Sequence, residues 1–263
     1  MKKIFPLLCG LAFLCACGDD SSSTSADDAF SSPSSSVKVS SSSWTPTVLP
    51  SEKYDCAVYK CVATDYLNAS VEYGELLDER DNQVYRTVKI GEQEWMAQNV
   101  NFDIGDATFK NNLHADSSQY GRLYTWYEAV GKSKEECDSS GCALPEKVQG
   151  ICPDGWHLPS KEDLETLLSI DKTPSRSLIM AQVGWDENAT VVSSDSLGFS
   201  ALPTGFNAGA EVERANMSSL IWSSTEYALS DWAYAISIDC YSTGAIVTSL
   251  VKVYAGTVRC LKD

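Results

Sequence analysis

The placement of the cysteines constrains this chain most. There are ten, and the first residues decide which compartment they meet. The chain opens MKKIFPLLCGLAFLCAC, with Lys2 and Lys3 ahead of an apolar run from Ile4 to Ala16. That run is too short to cross a bilayer, which takes about 20 apolar residues, so residues 1–16 read as a secretory leader. The junction Leu14-Cys15-Ala16-Cys17 resembles a bacterial lipobox, which makes Cys17 the lipidated first residue of the mature chain. Gly18 follows, and by the sorting rules of enteric bacteria it imposes no retention at the inner membrane. The expectation is an outer-membrane lipoprotein, at the cell surface or facing the periplasm, attached to the membrane through its lipid.

An exported chain sits where disulfides form by default. Cys9 and Cys15 leave with the leader and Cys17 takes lipid. The remaining seven are Cys56, Cys61, Cys137, Cys142, Cys152, Cys240 and Cys260. Cys56 with Cys61 and Cys137 with Cys142 are close enough for small local loops. Cys152 with Cys260 is the long-range pair chosen here, leaving Cys240 free, although spacing alone does not fix the connectivity.

Four regions follow. After the leader, residues 17–53 form a tether, in which 13 of the 23 residues from Ser21 to Ser43 are serine. Such composition cannot bury enough apolar surface to fold. As flexible coil, a linker of about 34 residues spans roughly 30 Å. Residues 54–74 are a small cysteine-containing transition segment, and residues 75–263 are the globular domain. The formal net charge is −16, with 20 Lys and Arg against 36 Asp and Glu. Without a basic patch, nucleic-acid binding is excluded.

Within the domain, Val84–Val100 reads as a hairpin turning at Gly91-Glu92. Tyr120–Gly131 reads as a helix, with Leu123, Trp126, Tyr127 and Val130 at helical spacing. Ser160 with Asp163 makes a capping-box-like start for a second helix over Lys161–Ser169, carrying Leu164, Leu167 and Leu168 on one side. Gly198–Phe206, Leu220–Glu226, Asp231–Cys240, Ala245–Tyr254 and Gly256–Cys260 read as strands. Helices early and antiparallel strands late give an α+β domain with two helices and a mostly antiparallel β half.

Six ordered stretches now carry a resemblance: LLDERDNQVYRTVKIGEQEWMAQNVNF, YGRLYTWYEAV, GICPDGWHLPSKEDLETLL, GFSALPTGF, IWSSTE and GTVRCLKD. Together they resemble the Fibrobacter succinogenes major paralogous domain, a family of secreted bacterial proteins with no established activity. The leader and serine tether are also typical of it. More distantly, the pattern is similar to the C-type-lectin-like fold shared with formylglycine-generating enzymes.

A catalyst built on Cys152 and His157 needs an oriented imidazole beside a thiolate, and the sequence shows no orienting carboxylate. A copper-dependent oxidase of the formylglycine-generating type needs two cysteines near the C-terminus, and Cys260 is already assigned to Cys152. A calcium lectin needs clustered oxygen ligands. Its Glu-Pro-Asn type triplets are absent, and Trp185-Asp186-Glu187-Asn188 lies too early. The expectation is therefore a binding module that is not an enzyme and carries no cofactor or metal, engaging carbohydrate or a cell-surface protein. An oxidase of the formylglycine-generating type and a structural surface-coat protein are the alternatives. With seven Trp and 12 Tyr in the chain, most aromatics belong to the core. Tyr227, Trp232 and Tyr241 fall at strand ends and are the candidate ligand-face rings.

Overall fold

The computed structural model describes residues 48–105, 117–137, 141–179, 184–191, 193–209, 212–228, 231–242 and 244–263. The leader, Cys17 and residues 17–47 of the tether lie outside the described residues. In chain order the elements are β1 (Lys60–Cys61), β2 (Gly74–Asp78), β3 (Gln83–Ile90), β4 (Gln93–Met96), α1 (Ser117–Tyr120), β5 (Tyr124–Thr125), α2 (Trp126–Val130) and a 3-10 turn, Lys134–Glu136. They continue with β6 (Trp156–His157), α3 (Lys161–Ser169), α4 (Pro174–Leu178), β7 (Phe206–Asn207), β8 (Val212–Glu213), β9 (Ser218–Glu226), β10 (Trp232–Asp239), β11 (Ile246–Val251), β12 (Ala255–Gly256) and β13 (Leu261–Lys262). The domain is α+β, and its strand pairs are antiparallel apart from β1 on β3.

Three sheets result. One runs β1-β3-β4-β13-β6, with β2 also on β3; the second is β11-β10-β9; the third is β5-β12-β7-β8. The expected hairpin forms between β3 and β4, closed by Gly91-Glu92, with Val88 opposite Trp95. The chain terminus is worked into the same sheet, where β13 pairs with β4 on one side and β6 on the other.

The second expected helix forms over the residues named for it. Ser160 accepts from the backbone N–H of Asp163, and the Asp163 carboxylate accepts from Ser160 N at 2.8 Å, which completes a capping box. The first expected helix does not form as one piece. At Gly121 the backbone is left-handed, φ 74°, and a Cβ there would stand 2.7 Å from the Asn99 Cβ. Only glycine relieves both constraints. Three residues later Tyr124 and Thr125 pair with β12 instead of continuing a helix. The helix then restarts at Trp126, because Thr125 and Glu128 form their own capping box, with Thr125 N donating to Glu128 Oε2 at 2.6 Å. Gly131, at φ 71°, ends it.

The stretch Gly198–Phe206 is likewise not a strand. Gly198, Ser200 and Gly205 all have positive φ, which breaks an extended run, and only single bridges at Ala201 and Gly205 remain before β7. The transition segment is also part of the domain: β1 pairs with β3, and Tyr66 and Leu67 are buried in the core beside Trp95.

Two apolar clusters fill the interior. One gathers Tyr85, Trp126, Trp222, Val258 and the Cys152–Cys260 bridge. The other gathers Trp95, Leu164, Leu167, Phe199, Ile236 and Ile238. Strand β10 serves both: Ala233 and Ala235 face the first, while Ile236 and Ile238, of opposite parity, face the second. Its partner β9 bulges between those positions, since Ala233 opposes Glu226 but Ala235 opposes Trp222. The residues released by the bulge bind other elements. Ser224 N donates to Pro159 O at 2.8 Å, and Lys161 N donates to Thr225 Oγ1 at 2.9 Å, so the start of α3 is fixed by β9.

Candidate functional site

The stretch CPDGWHLPS is built into the framework. Disulfides join Cys56 to Cys61, Cys137 to Cys142 and Cys152 to Cys260, and Cys240 is a buried free thiol. Cys152 and Cys260 therefore present no thiolate. Burial raises the Cys240 thiol, and the nearby carboxylates of Asp239 and Asp186 raise it further.

His157 differs from its expected setting. No orienting carboxylate is evident along the chain, but the fold brings two. Nδ1 lies 2.8 Å from Asp263 Oδ1, and Nε2 lies 3.9 Å from Asp163 Oδ2. Both acids are remote in sequence or lie across the helix start, so spacing did not show them. Burial opposes ionisation of Asp163, but the neighbouring His157 imidazole and hydrogen bonds from Ser160 outweigh it and hold the carboxyl down at about 2. The imidazole thus bridges the α3 cap and the last residue of the chain.

Two buried cations lie deeper. Arg259 is fully buried; its Nε donates to Asn99 Oδ1 at 2.8 Å, its guanidinium also donates to the carbonyls of Phe199 and Ser200, and it lies 4.3 Å from the Phe199 ring centroid. It holds the Gly198–Phe206 stretch in its irregular course. Nearby, burial raises Asp195 to about 7 despite hydrogen bonds from Ser200 and the charge of Arg259. Lys252 is also buried, ion-paired to Glu226 and 4.4 Å from the Trp126 ring centroid. Glu226 in turn accepts from Cys142 N at 3.1 Å, which links the Cys137–Cys142 loop to this pair.

The three aromatic rings singled out from sequence do not form one face. Tyr227 and Trp232 sit together at one end of the β9–β10 hairpin, where Tyr227 N donates to Trp232 O, and Tyr227 packs edge-on against Tyr234 with ring centroids 5.3 Å apart. Tyr241 lies beyond the other end of β10, roughly 25 Å away at the rise of a strand. Its hydroxyl is raised to about 12 by its hydrogen bond to Asp186.

An open concavity lies elsewhere among the described residues. A groove of about 600 Å³ runs between Ile104, the start of α2, the 3-10 turn, the β7–β8 connection and the chain between β11 and β12. Its apolar wall is Ile104, Ala208, Val253 and Tyr254, and its polar rim is Thr125, Glu128, Lys132, Ser133 and Lys134. Tyr254 stacks on Phe206 at 6.1 Å with the rings 20° apart. Sequence reasoning missed this wall. Alternation through AIVTSLVKVY extends a strand through Tyr254, but β11 stops at Val251 and a turn follows, with Tyr254 N donating to Val251 O at 2.9 Å. The turn sends Lys252 inward and leaves Val253 outside, 42% exposed. A lysine between two valines was the available signal, since a charge there breaks an apolar run. Among the described residues, no three His, Cys, Asp or Glu side chains are grouped to hold a metal ion.

Fold and groove together define a disulfide-stapled α+β domain with an open, aromatic-walled concavity. The chain belongs to the Fibrobacter succinogenes major domain family, whose profile matches residues 88–262. No curated protein and no solved structure matches the chain.

Proposed function

We propose that this protein is an exported, non-catalytic binding module, anchored to the outer membrane through lipid on Cys17, that takes carbohydrate in the groove beside α2. The groove carries the reading. Its volume of about 600 Å³ is of the size that small-ligand sites use, and apolar walls with a few placed polar groups are their usual lining. The Tyr254 ring, backed by Phe206, offers a flat apolar surface for a sugar ring's C–H face. Ser133, Lys132 and Lys134 supply donors for its hydroxyls. The serine-rich composition of residues 17–53 accords with a domain displayed off a membrane. The spending of six cysteines on crosslinks, with Cys240 buried, supports the non-catalytic part.

The test is a glycan array probed with the full chain in detergent, beside Tyr254→Ala. Retention of a defined glycan class is expected, weakened at least about tenfold by the substitution. An array at background, or binding indifferent to Tyr254→Ala, would defeat the assignment.

A further inference from the structure

Three stretches match Asn-x-Ser/Thr with no proline between: Asn68-Ala69-Ser70, Asn188-Ala189-Thr190 and Asn216-Met217-Ser218. In an exported protein this pattern is the acceptor for N-linked glycan, and it needs an accessible amide and an accessible hydroxyl. The fold tells the three apart. Asn68 is half-buried. Its Nδ2 donates to the carbonyl of buried Asp195 at 2.9 Å, and its Oδ1 accepts from Ser70 N at 3.0 Å. Asn216 is exposed, but its backbone is left-handed at φ 64°, and its hydroxyl partner Ser218 is buried where β9 begins.

Asn188 meets both demands, since it and Thr190 are exposed. They stand on a surface turn in which Ala189 N donates to Asp186 O at 3.0 Å. The ends of the turn are pinned to the body, where Asp186 N donates to Asn216 O at 2.8 Å and Val191 N to Cys240 O at 3.0 Å. Glu187 and Asn188 are left outside. The Asn188 Nδ2 donates within its own turn, to Asp186 Oδ1 at 3.2 Å, and Thr190 Oγ1 donates to Tyr241 O at 3.0 Å. Both bonds lie at the exposed surface, where water competes for the same groups. Asp186 also places an acid two residues ahead of the asparagine, the acid-x-Asn-x-Thr form that bacterial oligosaccharyltransferases take. Tyr66 and Arg214 hold that place before Asn68 and Asn216.

We infer that Asn188 is a glycosylation site, loaded from an oligosaccharide carried on a polyprenyl diphosphate. Asn188 Nδ2 attacks the anomeric carbon of the first sugar. The new bond joins nitrogen to that carbon, the bond from the carbon to the diphosphate oxygen breaks, the diphosphate leaves with the electron pair, and Nδ2 gives up one proton. The inference rests on the export proposed above and on no property of the groove.

Trypsin separates the three asparagines, since Asn68 falls in peptide 61–80, Asn188 in 177–214 and Asn216 in 215–252. The full chain is taken from the envelope of the cells that produce it, digested, and fragmented by electron transfer. Peptide 177–214 is expected to be heavier by an oligosaccharide carried on Asn188, with the other two peptides bare. Asn188→Gln and Thr190→Ala are each expected to abolish the added mass, whereas Thr190→Ser, which keeps the hydroxyl, is expected to retain it. A chain with its leader cleaved and Asn188 bare would overturn the inference and leave export standing, while a chain that keeps its leader would overturn both. Glycan on Asn68 or Asn216 in place of Asn188, or added mass that survives Asn188→Gln, would also overturn it.

Discussion

The indole N–H of Trp126 donates to the carbonyl of Ser223 at 2.8 Å, across 97 residues of sequence. The bond is answered nearby, where Trp222 donates its own indole N–H to Tyr124 O at 2.9 Å. Each tryptophan fills the first core cluster; Trp126 satisfies a carbonyl of β9 and Trp222 one of β5, the strand that leads into α2, so the start of α2 and the β9 bulge are locked together.

Replacing Trp126 by Phe keeps an aromatic ring, though a smaller one, and removes the donor, leaving Ser223 O buried without it. The expected cost is about 1–3 kcal/mol, read from urea unfolding. Trp126→Ala, which also opens a cavity, is expected to cost about 3–5 kcal/mol. A cost near zero for Trp126→Phe would show that the hydrogen bond contributes nothing.

The Cys152–Cys260 bridge closes a loop with a sequence separation of 108. Loop-closure entropy for that length is about 5 kcal/mol, and measured losses are commonly about 2–5 kcal/mol. The double variant Cys152→Ala/Cys260→Ala is expected to lose stability in that range, and more than Cys137→Ala/Cys142→Ala, whose separation is 5. Alkylation of the native chain is expected to leave Cys152, Cys240 and Cys260 unlabelled, read by peptide mass.

Lys252 and Glu226 form a pair in which the lysine is buried and the glutamate about a quarter exposed. Removing one partner strands the other. Glu226→Ala is expected to destabilise by about 3 kcal/mol, and the double variant Glu226→Ala/Lys252→Met by less than Glu226→Ala alone. A double-mutant cycle on thermal unfolding checks the sign.

Asp195 gives a pH signature. Burial lifts it from an ordinary 3.8 to about 7 in the fold. Between those values the folded chain holds a proton that the unfolded chain has released. Stability from this group is therefore full below about pH 4 and is lost as pH rises towards 7. Asp195→Asn keeps the acceptor for Ser200 N and removes the titration. Its stability is expected to fall less than wild type between pH 4 and 7, by chemical denaturation across that range. Asp163, held at about 2, works in the opposite direction: its contribution is present above about pH 4 and lost as pH falls towards 2.

The sequence alone determined the features that neighbouring residues can enforce. The Gly91-Glu92 turn, the Ser160–Asp163 cap and the stripe of α3 need only local hydrogen bonds and helical spacing, and they stand where expected. The α+β class followed from the order of such pieces, and the close cysteine pairs from distance along the chain. The same local logic was available at Thr125–Glu128, whose capping box places the start of α2. Apolar periodicity across Gly121 concealed it. Tertiary structure decided what depends on groups far apart in sequence. Arg259 binds carbonyls 59 and 60 residues away and so sets the irregular course of Gly198–Phe206. Asp263 reaches His157 across 106 residues. The groove exists because the turn after β11 reverses inside and outside at Lys252 and Val253. A buried cation is stable only where a distant carboxylate and ring meet it, and no period or motif along the chain encodes that meeting.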